Sequence, residues 1–227
     1  MFEKIKDKIK NKGFFGKGEY GTTWQERSGE EQSNWYKRMH ESCIPMHEHF
    51  INYMEKCSIN TVLEIGCGTG QYPINLEHIF NGKKYTGIDI SQTAINYCKT
   101  KSKFEFICTD FLKKELNREF DLVYSHAVID HVYDIELFIK NIIKLSNKNA
   151  YITSYRGYFP DLENHKMNWN DSEGSYYNDI SVKQITHELI DLGLKRDEFM
   201  IDSIKVASEG SEDDFQTIIQ INKKEKN

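Results

Sequence analysis

The sequence is short of the features that mark several large classes of protein. It has three prolines in 227 residues, and no Pro- or Ser-rich stretch that would divide it into separately folding units. Its five cysteines, Cys43, Cys57, Cys67, Cys98 and Cys108, are odd in number and contain no Cys-x-x-Cys pair, which argues against a disulfide framework and against a zinc site. No metal is therefore expected, and a reduced, cytoplasmic protein is. No stretch approaches the ~18 apolar residues of a membrane span, and the N-terminal MFEKIKDKIKNK lacks the apolar core of a secretory signal. Phe2, Ile5 and Ile9 would share a helical face there, which reads as a solvated helix start and not a membrane anchor. Positive charge is not in excess either: the formal net charge is -5. An acidic surface repels a polyanionic backbone, so no nucleic-acid partner is expected. The sequence is silent on oligomeric state.

What is present is the composition of a globular domain, with 38% hydrophobic and 29% charged residues in a chain long enough to bury a core. The pattern changes near residue 60. Residues 1–58 read as an N-terminal loop and helical cap. Gly13 to Gly29 (GFFGKGEYGTTWQERSG) is a glycine-rich aromatic loop, and Ser33 to Lys56 a helix with Trp35, Met39, Met46, Phe50, Tyr53 and Met54 on its apolar side. Pro45 should kink or interrupt it. Residues 59–222 alternate short apolar runs with helical stretches. Strands are predicted at Thr61–Ile65, Lys84–Ile88, Phe104–Cys108, Phe120–Tyr124 and Ala150–Thr153, with two more at Met200–Val206 and Phe215–Ile221. Helices are predicted over Tyr72–Phe80, from Ser91 to about Lys101, over Asp134–Leu145 and over Ser181–Leu192, the last closed by Gly193. Such alternation predicts an α/β fold: a doubly wound sheet of about seven strands, mostly parallel, with an antiparallel last strand. Residues 155–178 break the rhythm, being long, aromatic and polar without helical or strand periodicity, and are read as a substrate lid.

The strongest motif is VLEIGCGTGQ, Val62 to Gln71. Three glycines directly after a strand and before a helix bring backbone amides close to a ligand at a helix N-terminus. The dinucleotide fingerprint G-x-G-x-x-G requires glycine where Gln71 stands, so NAD is disfavoured. The pattern Glu64-x-Gly66-x-Gly68-x-Gly70 instead resembles motif I of the class I S-adenosylmethionine (SAM)-dependent methyltransferases, whose loop wraps the methionine part of SAM. The resemblance extends over roughly residues 58 to 155 and implies a Rossmann-like fold and SAM as cofactor, with S-adenosylhomocysteine (SAH) as product.

It also implies roles residue by residue. Glu64, Gly66, Cys67, Gly68 and Gly70 form the loop; Asp89, ending YTGID with Ile90 after it, would accept from the ribose hydroxyls. Asp110 and Phe111 would meet the adenine amino group and ring. Ser125 and His126, in FDLVYSHAVIDHV, would lie against the methionine end near the transferred methyl. His126 and His131 are the candidate bases, since imidazole titrates near neutral pH. Histidine is widespread in that family at the place of His131, where it can also serve as a packed, hydrogen-bonded residue. Acceptor candidates rest on physical grounds: Arg156 for a carboxylate or phosphate, Tyr155, Tyr158, His165, Trp169, Tyr176 and Tyr177 in the lid, and Tyr20 and Trp24 closing the other side.

Methyl transfer from a sulfonium is an in-line displacement with a good leaving group, so positioning and water exclusion matter more than an invariant catalytic residue. The expected function is transfer of a methyl group to an O or N atom of a small molecule. Strand four carries neither the Asp/Asn-Pro-Pro-aromatic stretch of amino-directed DNA enzymes nor the Pro-Cys nucleophile of cytosine-5 enzymes. A protein acceptor and a non-catalytic SAM-binding role stay open on sequence alone.

Overall fold

The computed structural model describes residues 19–208 and 211–224. The N-terminal stretch with Phe2, Ile5 and Ile9, and the first part of the glycine-rich loop, lie outside the described residues. Beyond them the chain forms helix α1 (Thr22–Glu26), α2 (Gly29–Ser42) and α3 (Ile44–Lys56). Ser28 and Glu31 make a capping box at the start of α2. Pro45 sits in the first turn of α3, where its missing N–H costs nothing, so the single kinked helix expected from the sequence is two helices meeting at Cys43. Gln32, 1% exposed, fastens this cap to the rest. Its Nε2 lies 2.8–3.0 Å from the carbonyls of Trp24 and Arg27 and the hydroxyls of Ser91 and Thr93.

The remaining elements are β1 (Thr61–Ile65), α4 (Gln71–Asn75), β2 (Lys84–Asp89), α5 (Gln92–Lys101), β3 (Glu105–Cys108), β4 (Phe120–His126), α6 (Ile135–Leu145), β5 (Ser146–Ser154), β6 (Lys166–Asn170), β7 (Ser175–Asp179), α7 (Val182–Asp191), β8 (Phe199–Ser208) and β9 (Ser211–Asn222). Seven strands form one sheet in the order β3-β2-β1-β4-β5-β9-β8. Pairings among β1 to β5 are parallel, and β9 runs antiparallel to both neighbours. The expected helix over 72–80 is shorter, α4 followed by a 3-10 turn at Glu77–Phe80.

Alternation along the strands divides the core. Leu63, Ile65, Val123 and Ile152 point to one face, against Phe138, Ile139 and Ile142 of α6 and Ile185 and Leu189 of α7. Val62, Leu122, Tyr124 and Tyr151 point to the other, against Phe50, Tyr53 and Met54 of α3 and Ile95 and Cys98 of α5. Each fully buried aliphatic or aromatic side chain contributes about 1.5–3 kcal/mol. Burial on both faces is why these strands read as near-continuous apolar runs.

The segment 155–178 is not aperiodic. β6 and β7 pair as an antiparallel hairpin, with Lys166 opposite Asp179 and Asn170 opposite Ser175. Its strands carry polar residues on both sides, with Lys166, Met167 and Asn168 exposed, so the two-residue alternation that signals a strand is missing. The turn of the hairpin docks on the N-terminal cap, where the Gly21 N–H donates to the Gly174 carbonyl at 2.8 Å. Among the described residues, no helix is long and apolar enough to cross a membrane.

Candidate active site

The order of the sheet reverses between β1 and β4, which opens a crevice outside their carboxyl ends. There a cavity of about 330 Å³ runs along the edge of the sheet from the tip of β3 to β9, within the range of small-ligand sites. The chain enters it through two unusual turns. Gly66 has φ +72°, and a Cβ on it would stand 2.2 Å from Val128 Cγ2; a side chain there would push the β1 turn off the β4 turn. Ala127, at φ 56°, is in the left-handed region without being glycine, a strained conformation that reverses the chain directly after His126.

Of the expected cofactor residues, Glu64, Gly66, Cys67, Gly68, Asp89, Ile90, Asp110, Phe111 and His126 line the cavity. Asp89 also organises the glycine loop, accepting from the Gly68 N–H and the Ser91 N–H, both at 2.8 Å. Burial pushes its carboxyl up, against the lowering effect of these N–H donors. The Asp110 carboxylate accepts from the Leu112 N–H at 3.0 Å and from the Tyr133 hydroxyl at 3.1 Å. Glu64 is turned into the core, where the Tyr85 and Tyr124 hydroxyls donate to its Oε2. Burial raises it to about 7 even so. Gly70 and Ser125 do not line the cavity. Gly70, at φ +74°, closes the turn by donating to the Cys67 carbonyl at 2.8 Å, and Ser125 is fully buried within the sheet.

The acceptor candidates divide. Tyr20, Trp24, Tyr155 and Tyr177 line the cavity. Arg156 does not: its Nη2 pairs with Asp179 Oδ1 at 3.1 Å and its guanidinium lies 5.1 Å over the Tyr177 ring, so its charge is already used in joining β5 to the hairpin. His165 is likewise absent from the wall; its Nδ1 accepts from the Ser181 N–H at 2.9 Å and its Nε2 is 3.3 Å from Glu188, which ties the loop to α7. Trp169 donates to Asp171 at 2.6 Å and packs edge-on to Tyr176, and neither ring reaches the cavity, nor does Tyr158.

The two candidate bases have different surroundings. His131 braces three elements: its Nδ1–H donates to the Tyr176 carbonyl at 2.8 Å, its Nε2 lies 3.4 Å from the Tyr155 hydroxyl, and its ring meets Trp24 edge-on at 5.2 Å. It also lines the cavity, with both nitrogens within hydrogen-bonding range of neighbouring groups. His126 Nδ1 is 3.2 Å from Thr153 Oγ1, and its Nε2 has no hydrogen-bond partner among the described residues. Burial first, then the neighbouring His47 and His40, hold His126 well below the usual histidine range.

Those two neighbours were not legible as site residues. His40 and His47 come from either side of the α2–α3 junction, seven positions apart in a stretch read only for its apolar face. Their rings stack at 3.6 Å and 14°. His47 Nδ1 is hydrogen-bonded to the Tyr72 hydroxyl, and Tyr72 in turn stacks on His126 at 4.8 Å and 22°. Trp35, Tyr36, Met39, Cys43 and Gln216 also line the cavity and were missed.

A family model described as "Methyltransferase domain" matches residues 58–222. Malonyl-[acyl-carrier protein] O-methyltransferase of Bacillus anthracis is 28% identical over 118 residues, 51% of this chain and 43% of that protein. Pavine N-methyltransferase of Thalictrum flavum subsp. glaucum is 29% identical over 124 residues, 51% of this chain and 33% of that protein. The match thus spans less than half the length of these curated relatives. Among solved structures, the plantazolicin methyltransferase in complex with a pentazolic desmethylPZN analog and SAH has a TM-score of 0.63 at 16% identity, covering 99% of this chain and 100% of that one. Magnesium protoporphyrin IX methyltransferase from Synechocystis PCC 6803 with bound SAM has a TM-score of 0.57 at 15% identity, covering 98% and 96%. At that identity the likeness is one of fold. With the glycine loop, the sheet order and a family match over most of its length, the chain belongs to the methyltransferase-domain family.

Proposed function

We propose that the protein is a SAM-dependent methyltransferase acting on an O or N atom of a small molecule. The observation that carries this reading is the single cavity wall shared by the glycine loop, Asp89, Asp110 and the ring cluster around His126. The residues fit SAM by their chemistry. Two carboxylates at the tips of β2 and β3 offer acceptors to the ribose diol and the adenine amine, and Phe111 offers an apolar face to the ring. Gly68 lets the loop lie close under the cap, since a Cβ on it would stand 2.7 Å from the Tyr36 ring, and we read the backbone of this loop as the wall for the methionine part. When bound, SAM supplies a methyl group on a positively charged sulfur.

The protein's own part is to orient and to exclude water. The cap helices α1 and α2 lie over the cavity from one side, and the hairpin contributes Glu173 and Tyr177 from the other. We read both as the walls that enclose the reacting groups, so the lid role passes from Arg156, His165 and Trp169 to these residues. The five cysteines are free thiols. Calorimetry tests the cofactor directly: SAM and SAH should bind with micromolar Kd, about 8 kcal/mol, and NAD should not. NAD binding without SAM binding would overturn the assignment.

A further inference from the structure

The cavity has two chemically different ends. Its charged wall residues are Arg27, Glu64, Asp89, Asp110 and Glu173. Asp89 and Asp110 follow β2 and β3, and Arg27 stands beside them, its carbonyl accepting from Thr93 Oγ1 at the start of α5. Glu173 belongs to the hairpin turn, and Glu64 is tied to two phenols below Tyr72. The other end, under β4, β5 and β9, is walled by Met39, His40, Cys43, His47, Tyr72 and His126. Among the described residues, no side chain forms an ion pair with any of these imidazoles; the two carboxylates adjacent to them in sequence, Glu41 and Glu48, are exposed.

Four rings make the corner of this second end. His40 lies flat on His47 and Tyr72 lies flat on His126, while the His47 and His126 rings meet at 5.9 Å and 65°. Phe50 closes the base, edge-on to His126 at 4.7 Å. Burial pushes His47 down to about 3 and also lowers His40 and His126, and each imidazolium would repel the next, so the corner is uncharged at neutral pH. Two nitrogens in it, His126 Nε2 and His40 Nδ1, are buried without a hydrogen-bond partner. Such groups are costly unless a ligand satisfies them.

We propose that this corner is the acceptor subsite, and that the acceptor is an uncharged planar molecule that lies against the rings and places its O–H or N–H on His126. The inference rests on the cofactor reading above, because it takes the charged end for SAM. A flat ring gains offset or edge contacts with imidazole and phenol faces. In the SAH-loaded protein an anion would be buried there without a counter-charge, and a cation would have only the Glu64 carboxyl, which burial raises to about 7; both are more costly than burying a neutral polar group that finds its hydrogen bond. His126 acts here by orienting the acceptor atom; a base held so far below neutrality is a hydrogen-bond acceptor before it is a proton acceptor.

The test is binding to SAH-loaded protein of three probes of one shape: 2-naphthol, the anion 2-naphthoate and the cation 2-naphthylmethylammonium, followed by calorimetry at pH 7.5. Naphthol should bind at least tenfold more tightly than either charged probe. His126→Phe, which keeps a flat ring and removes both nitrogens, should weaken naphthol about fivefold or more, and by a larger factor than it weakens SAH. His40→Ala, at a half-buried helical position of α2 where alanine favours the helix, should weaken naphthol at least threefold and serves if His126→Phe fails to fold. A charged probe binding as tightly as naphthol, no naphthol binding, or unchanged naphthol affinity in the folded variants would overturn the proposal. Loss of SAH binding in the parent protein would overturn the cofactor reading first and this inference with it, so the two failures are told apart.

Discussion

Asp130 sits at the centre of the structure that presents the site, and it provides a sharp test of the energetics. The residue is fully buried, and its carboxylate accepts from the Ser154 hydroxyl at 2.6 Å and from the Tyr155 and Arg156 N–H groups at 3.3 Å. It thereby ties the turn after β4 to the end of β5, and the Asn178 N–H, donating to the Asp130 carbonyl at 2.8 Å, adds the hairpin. Burial outweighs these donors and raises the carboxyl from 3.8 to about 7. A folded state that holds the proton more firmly than the unfolded chain loses stability as pH rises. The contribution is complete below pH ~4 and is lost progressively towards pH 7. Three pH units are worth about 4 kcal/mol, an upper figure because relaxation and water entry soften burial.

Asp130→Asn keeps the shape and removes the titration. Urea unfolding of both proteins between pH 4 and 7.5 should therefore show the parent losing about 3–4 kcal/mol relative to the variant across that range. Glu64, also raised to about 7, is present in both proteins and cancels in the difference. A difference that is flat, or that favours the parent as pH rises, would refute the argument. It would mean that the three donors hold the carboxylate ionised despite its burial.

Two further substitutions separate the residues that share the cavity from those that do not. Asp89→Ala should weaken SAM binding by about 1.5–3 kcal/mol, through the lost ribose acceptor and through the freed Gly68 N–H, with circular dichroism unchanged; parent-like affinity in a folded variant would end the ribose role. Arg156→Ala should leave SAM affinity and acceptor KM unchanged and cost about 1 kcal/mol or less of stability, because the arginine is paired with Asp179 at a partly exposed site. A several-fold rise in acceptor KM would restore it to the acceptor pocket.

The sequence determined the parts whose signals are local. Strands buried on both faces leave apolar runs such as TVLEI, and Ser91, Asp134 and Ser181 mark helix starts because their side chains accept from N–H groups only three residues away. The glycine loop was legible for the same reason: a tight turn of positive φ between strand and helix needs glycine at Gly66, Gly68 and Gly70 whatever surrounds it. Asp89 and Asp110 followed from their places at the tips of the next two strands. The hairpin β6–β7 was not legible, since β6 is largely exposed and the buried positions of β7, Ser175 and Asn178, are polar, which leaves no apolar alternation to betray a strand.

The division of labour among the polar residues was decided only in three dimensions. Arg156 and His165 have the chemistry of ligand-binding residues, and their partners Asp179 and Glu188, each 23 residues further along the chain, take that chemistry up. His40 and His47 have nothing in their own helices to single them out. They join Tyr72 and His126 because Pro45 ends one helix and starts another, and because Gln32 holds that cap across the carboxyl edge of the sheet. A contact between residues 40, 47, 72 and 126 is a property of packing, in which elements distant in sequence exclude water together; sequence patterns report which face of an element is buried, and not which other element buries it.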